Sequence, residues 1–283
     1  MLMQTNILLK VGGEMLGKLI GTGRTAEVYE WTDHRVIKLF YQHIKESEVY
    51  DEFNKHQFIE NRIALCTKSY SVESVNQRFG IVYDRVTGQS MTEKLMDGTA
   101  LAYELGLCLG RTHKAIHQVI VPEISPMNDY FENLIESSNE ITTIEKERLL
   151  NILSTLPNGE VLCHMDFHPD NVFIDGNNVT VLDWMTALKA DPLADVARTM
   201  MILQYAEIPN VSDEERKTVE SLRNDLLEGY RDAYDDCDSI DVERLNKWIT
   251  IMLALRLLEN ISENEKNVIK NVLYSNLKEY SEH

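Results

Sequence analysis

Residues 163–171 read C-H-M-D-F-H-P-D-N, and Asp183 follows Asn171 by twelve residues. The spacing H-x-D-x-x-x-x-N, then a predicted strand hairpin and an aspartate at a strand end, is typical of sites that transfer phosphoryl groups. An attacking hydroxyl needs a carboxylate that orients it and accepts its proton, and Asp166 has that place. The phosphates need Mg²⁺, which prefers oxygen ligands, and Asn171 and Asp183 supply an amide oxygen and a carboxylate.

Two other interpretations of this stretch compete. A polar turn before a hairpin does not account for three oxygen-bearing residues at this spacing. A zinc cage of Cys163, His164 and His168 with the nearby acids is disfavoured, because Cys163 and His164 are adjacent and no second Cys/His group stands at ligand spacing. His164 is expected to form hydrogen bonds that support the loop rather than to react.

Residues 21–28 read G-T-G-R-T-A-E-V and lie between two predicted strands. A dinucleotide-binding unit is disfavoured, since its glycines must open a helix. A strand-turn-strand flap whose backbone N–H groups cover phosphates fits the context, with Gly21 and Gly23 as the candidate residues. A plain hairpin turn, which also favours glycine, is the alternative.

Lys38 lies in a predicted strand over residues 35–40. It is either an exposed edge lysine or a cation that pairs with phosphate oxygens and is held by a carboxylate of the following helix. That helix is predicted over residues 45–63. Glu52, near its middle and beside the apolar stripe, is the preferred partner, and Glu48, one turn earlier, is the rival.

Hydrophobic patterning changes from strand-like to helical after residue 88. Residues 1–87 therefore predict a small β-rich lobe with one helix, and residues 88–283 a larger, mostly helical lobe with one hairpin. The fold class is α+β, with two lobes and a hinge near residues 84–90. The predicted strands are 17–20, 27–31, 35–40, 70–75, 79–86, 161–163, 172–174 and 179–182, and the predicted helices are 45–63, 99–120, 142–153 and further helices within 192–280.

Composition excludes several classes of protein. The 283 residues are 43% hydrophobic and 26% charged, which predicts a globular protein with a sizeable core. No run reaches the ~18 apolar residues of a membrane span, and no signal peptide is evident, so a cytoplasmic location without a membrane partner is expected. Four dispersed cysteines fit a reducing compartment. The net charge of −18 disfavours nucleic acid as a partner.

The negative charge is concentrated in residues 207–243, which contain thirteen Asp/Glu and four Lys/Arg. One interpretation is a solvated helix face, and the other is a surface that recognises a cationic substrate. Both stay open at this point.

The glycine flap, Lys38, the loop at residues 164–171 and Asp183 together resemble the aminoglycoside phosphotransferase and choline kinase group of kinase-like enzymes. The loop is similar to that family's H-G-D-x-H-x-x-N pattern, with His168 at the second histidine. Residues 191–198, D-P-L-A-D-V-A-R, are similar to the segment after the family's metal-binding aspartate. Eukaryotic protein kinases differ, because they carry Arg before the catalytic Asp, Phe-Gly after the metal Asp and a later A-P-E segment.

The resemblance implies a two-lobed protein-kinase-like fold and a small-molecule kinase. ATP or GTP would be the phosphoryl donor with Mg²⁺, and the acceptor would be a small hydroxylated molecule, with an amine-bearing compound favoured. The carbonyl of Asp84 and the amide of Val86 would hold the nucleotide base. Lys38 and Glu52 would form an ion pair behind the phosphates, and His168 would help to support the loop.

Met165 is the one departure from the core motif, since the family usually has glycine there. Glycine allows a backbone angle, or leaves space, that methionine does not. No catalytic group is lost. The alternative function is a non-catalytic nucleotide-binding pseudokinase that acts through partners, and the intact Asp166 argues against it.

Overall fold

A computed structural model describes residues 10–11, 14–122, 127–208, 212–235 and 240–280. The chain forms two compact units. The N-terminal unit contains the described residues up to Gln89 together with Phe173–Met185, and the C-terminal unit contains Ser90–Val172 and the described residues from Thr186 onward. These units differ from the division predicted at residue 87 in residues 88–89 and, more substantially, in residues 173–185. These residues group with the N-terminal unit, where the Val181 N–H donates a 2.7 Å hydrogen bond to the Leu65 carbonyl.

The N-terminal unit is mostly β-structure with one long helix, as predicted. The hairpin expected near residue 176 is also present, and Gly176 occupies its turn at φ +58°. The elements are β1 (Lys10–Val11), β2 (Glu14–Met15), β3 (Leu19–Thr22), β4 (Ala26–Thr32), β5 (Arg35–Phe40), α1 (Glu46–Glu60), β6 (Ser69–Val75) and β7 (Arg78–Asp84), followed by β8 (Gln89–Ser90) at the unit boundary and, later in the chain, by β10 (Val172–Asp175) and β11 (Asn178–Val181).

A five-stranded antiparallel sheet in the order β3-β4-β5-β7-β6 positions Lys38. Side chains of β5 alternate between the two faces of the sheet. Ile37 and Leu39 are buried in the cluster on one face. Phe40 belongs to a second cluster, with Val49 of α1. Lys38 shares the face of Phe40, so the alternation places it on the side that α1 covers.

The C-terminal unit is mostly helical. It includes two helices that the sequence patterns did not predict, α2 and α4, because both are short. Its elements are α2 (Met91–Met96), α3 (Ala102–Ile116), α4 (Asn128–Ser137), α5 (Thr143–Ser154), β9 (Val161–Cys163), β12 (Leu188–Ala190), α6 (Pro192–Tyr205), α7 (Asp213–Tyr234), α8 (Val242–Arg256) and α9 (Glu263–Glu279), with a 3₁₀ turn at Pro169–Asn171.

Helices α3 and α7 lie unusually close together because glycines remove side chains from their interface. A Cβ atom at Gly106 would lie 2.1 Å from the Leu226 carbonyl oxygen, and one at Gly229 would lie 2.1 Å from the Tyr103 carbonyl oxygen. Backbone atoms cannot yield as a flexible side chain can. The glycines therefore set the distance between the two helices.

Replacing Gly106 with alanine is expected to destabilise the protein by about 1–3 kcal/mol, because the new methyl group overpacks the α3–α7 interface. Alanine would otherwise favour a helix by up to about 1 kcal/mol over glycine, so the sign of the change is diagnostic. Urea unfolding measures it, with Glu228→Ala on the exposed side of α7 as a control that should change stability by less than about 0.5 kcal/mol. An unchanged or more stable Gly106→Ala variant would show that the close approach is wrong.

Helix α6 begins as the sequence predicted and is buried along most of its length. The carboxylate of Asp191 accepts a hydrogen bond from the Leu193 N–H at 3.1 Å, and Pro192 occupies the first turn. Ala194, Val196 and Ala197 fit an apolar setting. The charged residues of this helix need partners, and they contact the loop that precedes it.

Three cysteines, Cys66, Cys108 and Cys163, are free thiols, and Cys237 lies outside the described residues. None of the described helices combines the length and the apolar character that a membrane span requires.

Candidate active site

Lys38 lies between two carboxylates of the N-terminal unit. Its Nζ is 2.8 Å from Glu52 Oε1 and 3.0 Å from Asp183 Oδ1. Burial alone would lower the pKa of Lys38, but Asp183 and Glu52 together raise it, so the ammonium group keeps its charge. The ion pair expected between Lys38 and Glu52 is present, and Asp183 joins it.

Glu52 rather than Glu48 pairs with Lys38 because of the direction in which each points. Glu52 is 7% exposed and lies on the buried face of α1 with Val49. Burial raises the pKa of the Glu52 carboxyl, and Lys38 opposes that rise. Glu48 is exposed and accepts a 3.0 Å hydrogen bond from the Lys45 N–H, so it caps the first turn of the helix.

Asp183 has a backbone conformation that residues other than glycine rarely adopt, with φ +59°. Its neighbours hold this segment in place. Trp184 is buried and its Nε1–H donates to the Val181 carbonyl at 2.9 Å, while Lys55 Nζ donates to the Met185 carbonyl at 2.7 Å. Such strain is characteristic of functional positions, where the surrounding structure maintains it.

Gly21 lies near the end of β3, paired with Val28 of β4, and Gly23 lies in the turn that joins the two strands, as the strand-turn-strand interpretation requires. Neither has a positive φ, and a Cβ at Gly21 would make only ordinary contacts, the nearest 3.6 Å away at Val28. The backbone conformation and the space around these two positions therefore do not require glycine. This weakens the plain-turn alternative, and contact with phosphate stays a prediction.

Asp84 and Val86, the two residues predicted to hold the nucleotide base, differ in the hydrogen bonds that they form within the protein. The Asp84 N–H donates to the Lys68 carbonyl at 2.9 Å, and its carboxylate accepts a 2.7 Å hydrogen bond from the Tyr70 hydroxyl. Val86 lies beyond the end of β7, and its N–H donates to none of the described residues. Their contact with the nucleotide base stays a prediction.

Asp166 is ionised at neutral pH. Burial by itself would raise the pKa of this carboxyl. The adjacent His168 outweighs that effect, and the pKa of Asp166 is lowered to about 2. The His168 ring lies between Asp166 and Asp170, with N···O distances of 3.6 and 3.4 Å. Burial would lower the pKa of His168, yet the two carboxylates raise it to about 9. Asp166 thus has the charge state that a proton acceptor requires.

Asn171 is oriented by the same loop. Its Nδ2 donates a 2.9 Å hydrogen bond to the Asp166 carbonyl. Its Oδ1 accepts no hydrogen bond from any described residue. An amide oxygen left free in this way is a suitable ligand for a hard cation.

His164 supports the loop through both backbone and ring. It is fully buried, its carbonyl accepts a 2.9 Å hydrogen bond from Thr186 Oγ1, and its Nδ1 accepts a 3.3 Å hydrogen bond from the Asp166 N–H. The zinc alternative finds no support here. Cys163 is buried with its Sγ 3.8 Å from the Asp191 carbonyl, and it belongs to no metal-capable cluster of the described side chains.

Met165 adopts the left-handed conformation that explains a glycine at this position in related proteins. Its φ is +63°, which costs an ordinary residue about 1–2 kcal/mol. The side chain is buried, and the Met165 carbonyl accepts a 3.3 Å hydrogen bond from Arg198 Nε. Packing of the buried methionine offsets part of the strain.

The sequence interpretation gave no role to Asp195, although this residue anchors the loop. It is fully buried and accepts hydrogen bonds from the backbone N–H groups of His164 at 2.5 Å and Met165 at 2.8 Å. The available signal was its position. Asp195 and Arg198 are charged residues within an otherwise apolar α6, where burial requires partners.

His113 and His117 complete the surroundings of Asp195. Their Nε2 atoms lie 3.0 and 3.2 Å from Asp195 Oδ2, and their Nδ1 atoms lie 2.8 and 2.6 Å from the hydroxyls of Tyr230 and Tyr234. These three His and Asp residues are the one metal-capable group in the part of the chain that the structure describes. Each imidazole contacts a tyrosine hydroxyl on one side, and His117 also hydrogen-bonds to Asp195 on the other. His113 Nε2 is buried and forms no hydrogen bond with the described residues, although Asp195 Oδ2 lies nearby. The cluster links α3 and α7 to the loop.

Acidification is expected to destabilise the protein through His113. Burial lowers the pKa of His113 to about 4, against an ordinary value of about 6.5, despite the opposing charge of Asp195. Between these two pH values the unfolded chain binds a proton that the folded protein does not, so stability falls as pH falls, by about 3 kcal/mol in total. Urea unfolding from pH 7 to 4 should show a shallower decline for His113→Gln than for the unaltered protein. Parallel declines would exclude this histidine as the cause.

Known proteins resemble this chain in sequence profile and in fold. Residues 17–240 match the sequence profile of the phosphotransferase enzyme family. A search of curated protein sequences gave no match. Three solved structures have a similar fold. The first is amicoumacin kinase hAmiN in complex with AMP-PNP, Ca²⁺ and Ami, with a TM-score of 0.59 and 15% identity over 93% of this chain and 88% of that one. The second is choline kinase from Cryptosporidium parvum Iowa II, with a TM-score of 0.57 and 12% identity over 94% of this chain and 89% of that one. The third is aminoglycoside-3'-phosphotransferase of type VIII, with a TM-score of 0.54 and 15% identity over 86% of this chain and 93% of that one.

At these identities the solved structures show the fold, and they confirm the predicted kinase-like α+β class. The family profile covers well over half of the chain, including the flap, Lys38, the loop and Asp183. This chain belongs to the phosphotransferase enzyme family.

Proposed function

We propose that the protein transfers the γ-phosphoryl group of ATP or GTP to a hydroxyl group of a small, amine-bearing molecule. The observation that carries the proposal is the state of Asp166, whose carboxylate is kept ionised by His168. The buried carboxylate of Asp195 holds the loop of Asp166 in place through the backbone N–H groups of that loop. A protein that only bound nucleotide would have no use for a proton acceptor held in this way.

The nucleotide would be bound by the N-terminal unit. Backbone N–H groups at Gly21 and Gly23 would cover the phosphates, and Lys38 would pair with their oxygens. Glu52 keeps Lys38 charged and correctly directed. The carbonyl of Asp84 would bind the base together with the N–H of Val86, which donates to none of the described residues.

Mg²⁺ fits the donor set of this chain. Asp183 offers a carboxylate that is 42% exposed, and Asn171 offers an amide oxygen without a partner among the described residues. Both are hard oxygen ligands of the kind that Mg²⁺ prefers. When bound, the ion would neutralise charge on the phosphate oxygens.

Asp166 would act on the acceptor. It would accept a hydrogen bond from the attacking hydroxyl and take its proton, while the hydroxyl oxygen forms a bond to the γ-phosphorus and the bond from that phosphorus to the bridging oxygen breaks. The products are a phosphate monoester and the nucleoside diphosphate. His164 would support the loop and His168 would hold Asp166 ionised throughout.

The preference for an amine-bearing acceptor is supported by the acidic residues between positions 207 and 243. Positions 209–211 and 236–239 of that segment lie outside the described residues, and the rest is largely α7, whose acids are mostly exposed. The proposed location is the cytoplasm, where nucleotide and Mg²⁺ are available and the free thiols stay reduced.

The test is a coupled assay of ADP and GDP release with Mg²⁺, run over aminoglycosides, amino alcohols, amino sugars and ribose derivatives. Asp166→Asn serves as the blank. Release that depends on one acceptor class and is absent in the blank would support the proposal. Nucleotide binding without acceptor-dependent release from any class would contradict it and favour the pseudokinase alternative.

A further inference from the structure

Lys55 of α1 contacts the segment that carries Asp183, and the proposed mechanism gives this lysine no role. Its Nζ donates a 2.7 Å hydrogen bond to the carbonyl of Met185, two residues after Asp183. Lys55 and Met185 lie 130 positions apart in the chain, so the contact belongs to the tertiary fold and not to a local turn. Both residues are part of the N-terminal unit.

Lys55 is a half-buried lysine whose charge ends on a backbone carbonyl. None of the described acids lies within ion-pairing distance of its Nζ. Burial lowers the pKa of Lys55, and the charges of Glu52 and Asp51 oppose that change. A lysine at the edge of a helix usually extends its ammonium group into water. The direction of this side chain is instead set by the segment at residues 183–185.

Helix α1 is fixed to the N-terminal unit and can therefore serve as a rigid support. Val49 and Ile59 are fully buried. Glu60, at the end of the helix, accepts hydrogen bonds on Oε2 from the Ser69 N–H at 2.6 Å and from the Ser69 hydroxyl at 2.9 Å. Lys55 lies between these anchored positions along the helix.

The segment at residues 183–185 needs such a support. Asp183 has a φ of +59°, a strained conformation that persists only where the surroundings maintain it. The side chain of Met185 is 39% exposed and anchors the segment weakly. The Trp184 ring fixes one part of the segment through the Val181 carbonyl, and Lys55 fixes the backbone after it. Without Lys55, Asp183 is free to relax toward a commoner conformation.

Lys38 is poorly suited to hold Asp183 once ligands are bound. Its Nζ lies 3.0 Å from Asp183 Oδ1. In the proposed function both groups take other partners, because phosphate oxygens bind the ammonium group of Lys38 and Mg²⁺ binds the carboxylate of Asp183. The hydrogen bond from Lys55 ends on a carbonyl that neither ligand uses. It is therefore the contact that can persist through binding.

We propose that Lys55 is a positioning residue of the metal site, which holds the backbone at Met185 so that the carboxylate of Asp183 faces Mg²⁺. The inference rests on the proposed function and adds a residue to the part that binds the metal–nucleotide complex. Lys55 contacts the backbone, so it acts through Asp183.

The sign of the effect on Mg²⁺ separates positioning from simple electrostatics. A positive charge beside the site repels Mg²⁺. If Lys55 acted by its charge alone, its removal would strengthen the binding of Mg²⁺. If Lys55 acts by holding Asp183, its removal weakens the binding of Mg²⁺.

Calorimetric titration of ADP and of GDP, each with and without Mg²⁺, measures this effect without turnover. The quantity compared is the factor by which Mg²⁺ tightens nucleotide binding. Lys55→Met should lower this factor by about tenfold, equivalent to ~1.4 kcal/mol, while the affinity for nucleotide without Mg²⁺ stays within about twofold. Lys55→Arg keeps a charged donor for the carbonyl and should restore most of the factor.

Lys68→Met is the matched control. Lys68 is an exposed residue of the same unit, and its Nζ lies 5.5 Å from the Tyr70 ring. Its replacement removes the same charge without a contact to residues 183–185, so the factor should not change. Urea unfolding checks that each variant folds. If Lys55→Met does not fold, Lys55→Gln takes its place, because glutamine is polar but one atom shorter and should also lower the factor.

The outcomes distinguish this inference from the proposed function. A factor that Lys55→Met leaves unchanged or raises would overturn the inference and leave the proposed function standing. An equal loss in Lys68→Met would also overturn it, since the effect would not depend on the contact with Met185. A lower factor without phosphoryl transfer to any acceptor would support the inference and contradict the proposed function. Nucleotide binding that Mg²⁺ does not strengthen in the unaltered protein would contradict both.

Discussion

The Asp166→Asn variant is expected to have a kcat lower by about 10²–10⁴-fold, the range of a general base. The substituted amide would keep the shape of the side chain and lose the carboxylate that accepts the hydroxyl proton. Since Asp166 is not among the residues proposed to bind nucleotide, the affinity for nucleotide should stay within about twofold. Steady-state kinetics and titration with a fluorescent nucleotide analogue measure the two quantities.

Asp170→Asn is the matched control. Asp170 is in the same loop, also faces His168, and its side chain is 66% exposed. Its replacement removes the same charge from the neighbourhood of His168 but leaves Asp166 in place. A similar loss of kcat in both variants would mean that loop electrostatics, rather than proton transfer to Asp166, limits the reaction.

The Lys38→Met variant is expected to be impaired in both stability and nucleotide use. Glu52 is buried, and its Oε2 already lacks a hydrogen-bond partner among the described residues. Without Lys38 its charge is uncompensated, which costs about 3–5 kcal/mol of folding free energy. Loss of the charged contacts to phosphate should lower kcat/KM for nucleotide at least tenfold.

The double variant Lys38→Met/Glu52→Leu separates these effects. Removing both charges should restore most of the lost stability in urea unfolding, because an apolar pair can fill the place of a buried ion pair. Activity should stay low, since no cation remains for the phosphates. Recovery of activity together with stability would show that Lys38 serves the fold alone.

The residues proposed for the site could be named from sequence because phosphoryl-transfer chemistry requires few residue types at fixed spacings. The direction of Lys38 was left open by the sequence, and the structure places it beside Glu52. The choice of Glu52 over Glu48 depended on which residue lies on the buried face of α1, and helical spacing carries that information.

Other parts of the site depend on contacts between residues far apart in the chain. Asp195 holds the loop only because α6 packs beneath it, and its histidine partners lie some 80 residues earlier. Met165 shows the opposite case, because the family comparison suggested a special backbone angle and the structure contains it.

Helix α7 has two sides with different freedom to change during evolution. Gly229, Tyr230 and Tyr234 on its inner side fit against α3 and His113, so most replacements there would disturb the loop that carries Asp166. Its outer side is mostly exposed. Sequence changes can therefore accumulate along the outer stripe of this helix without disturbing the loop that carries Asp166, and libraries that vary α7 while keeping the fold are best confined to that stripe.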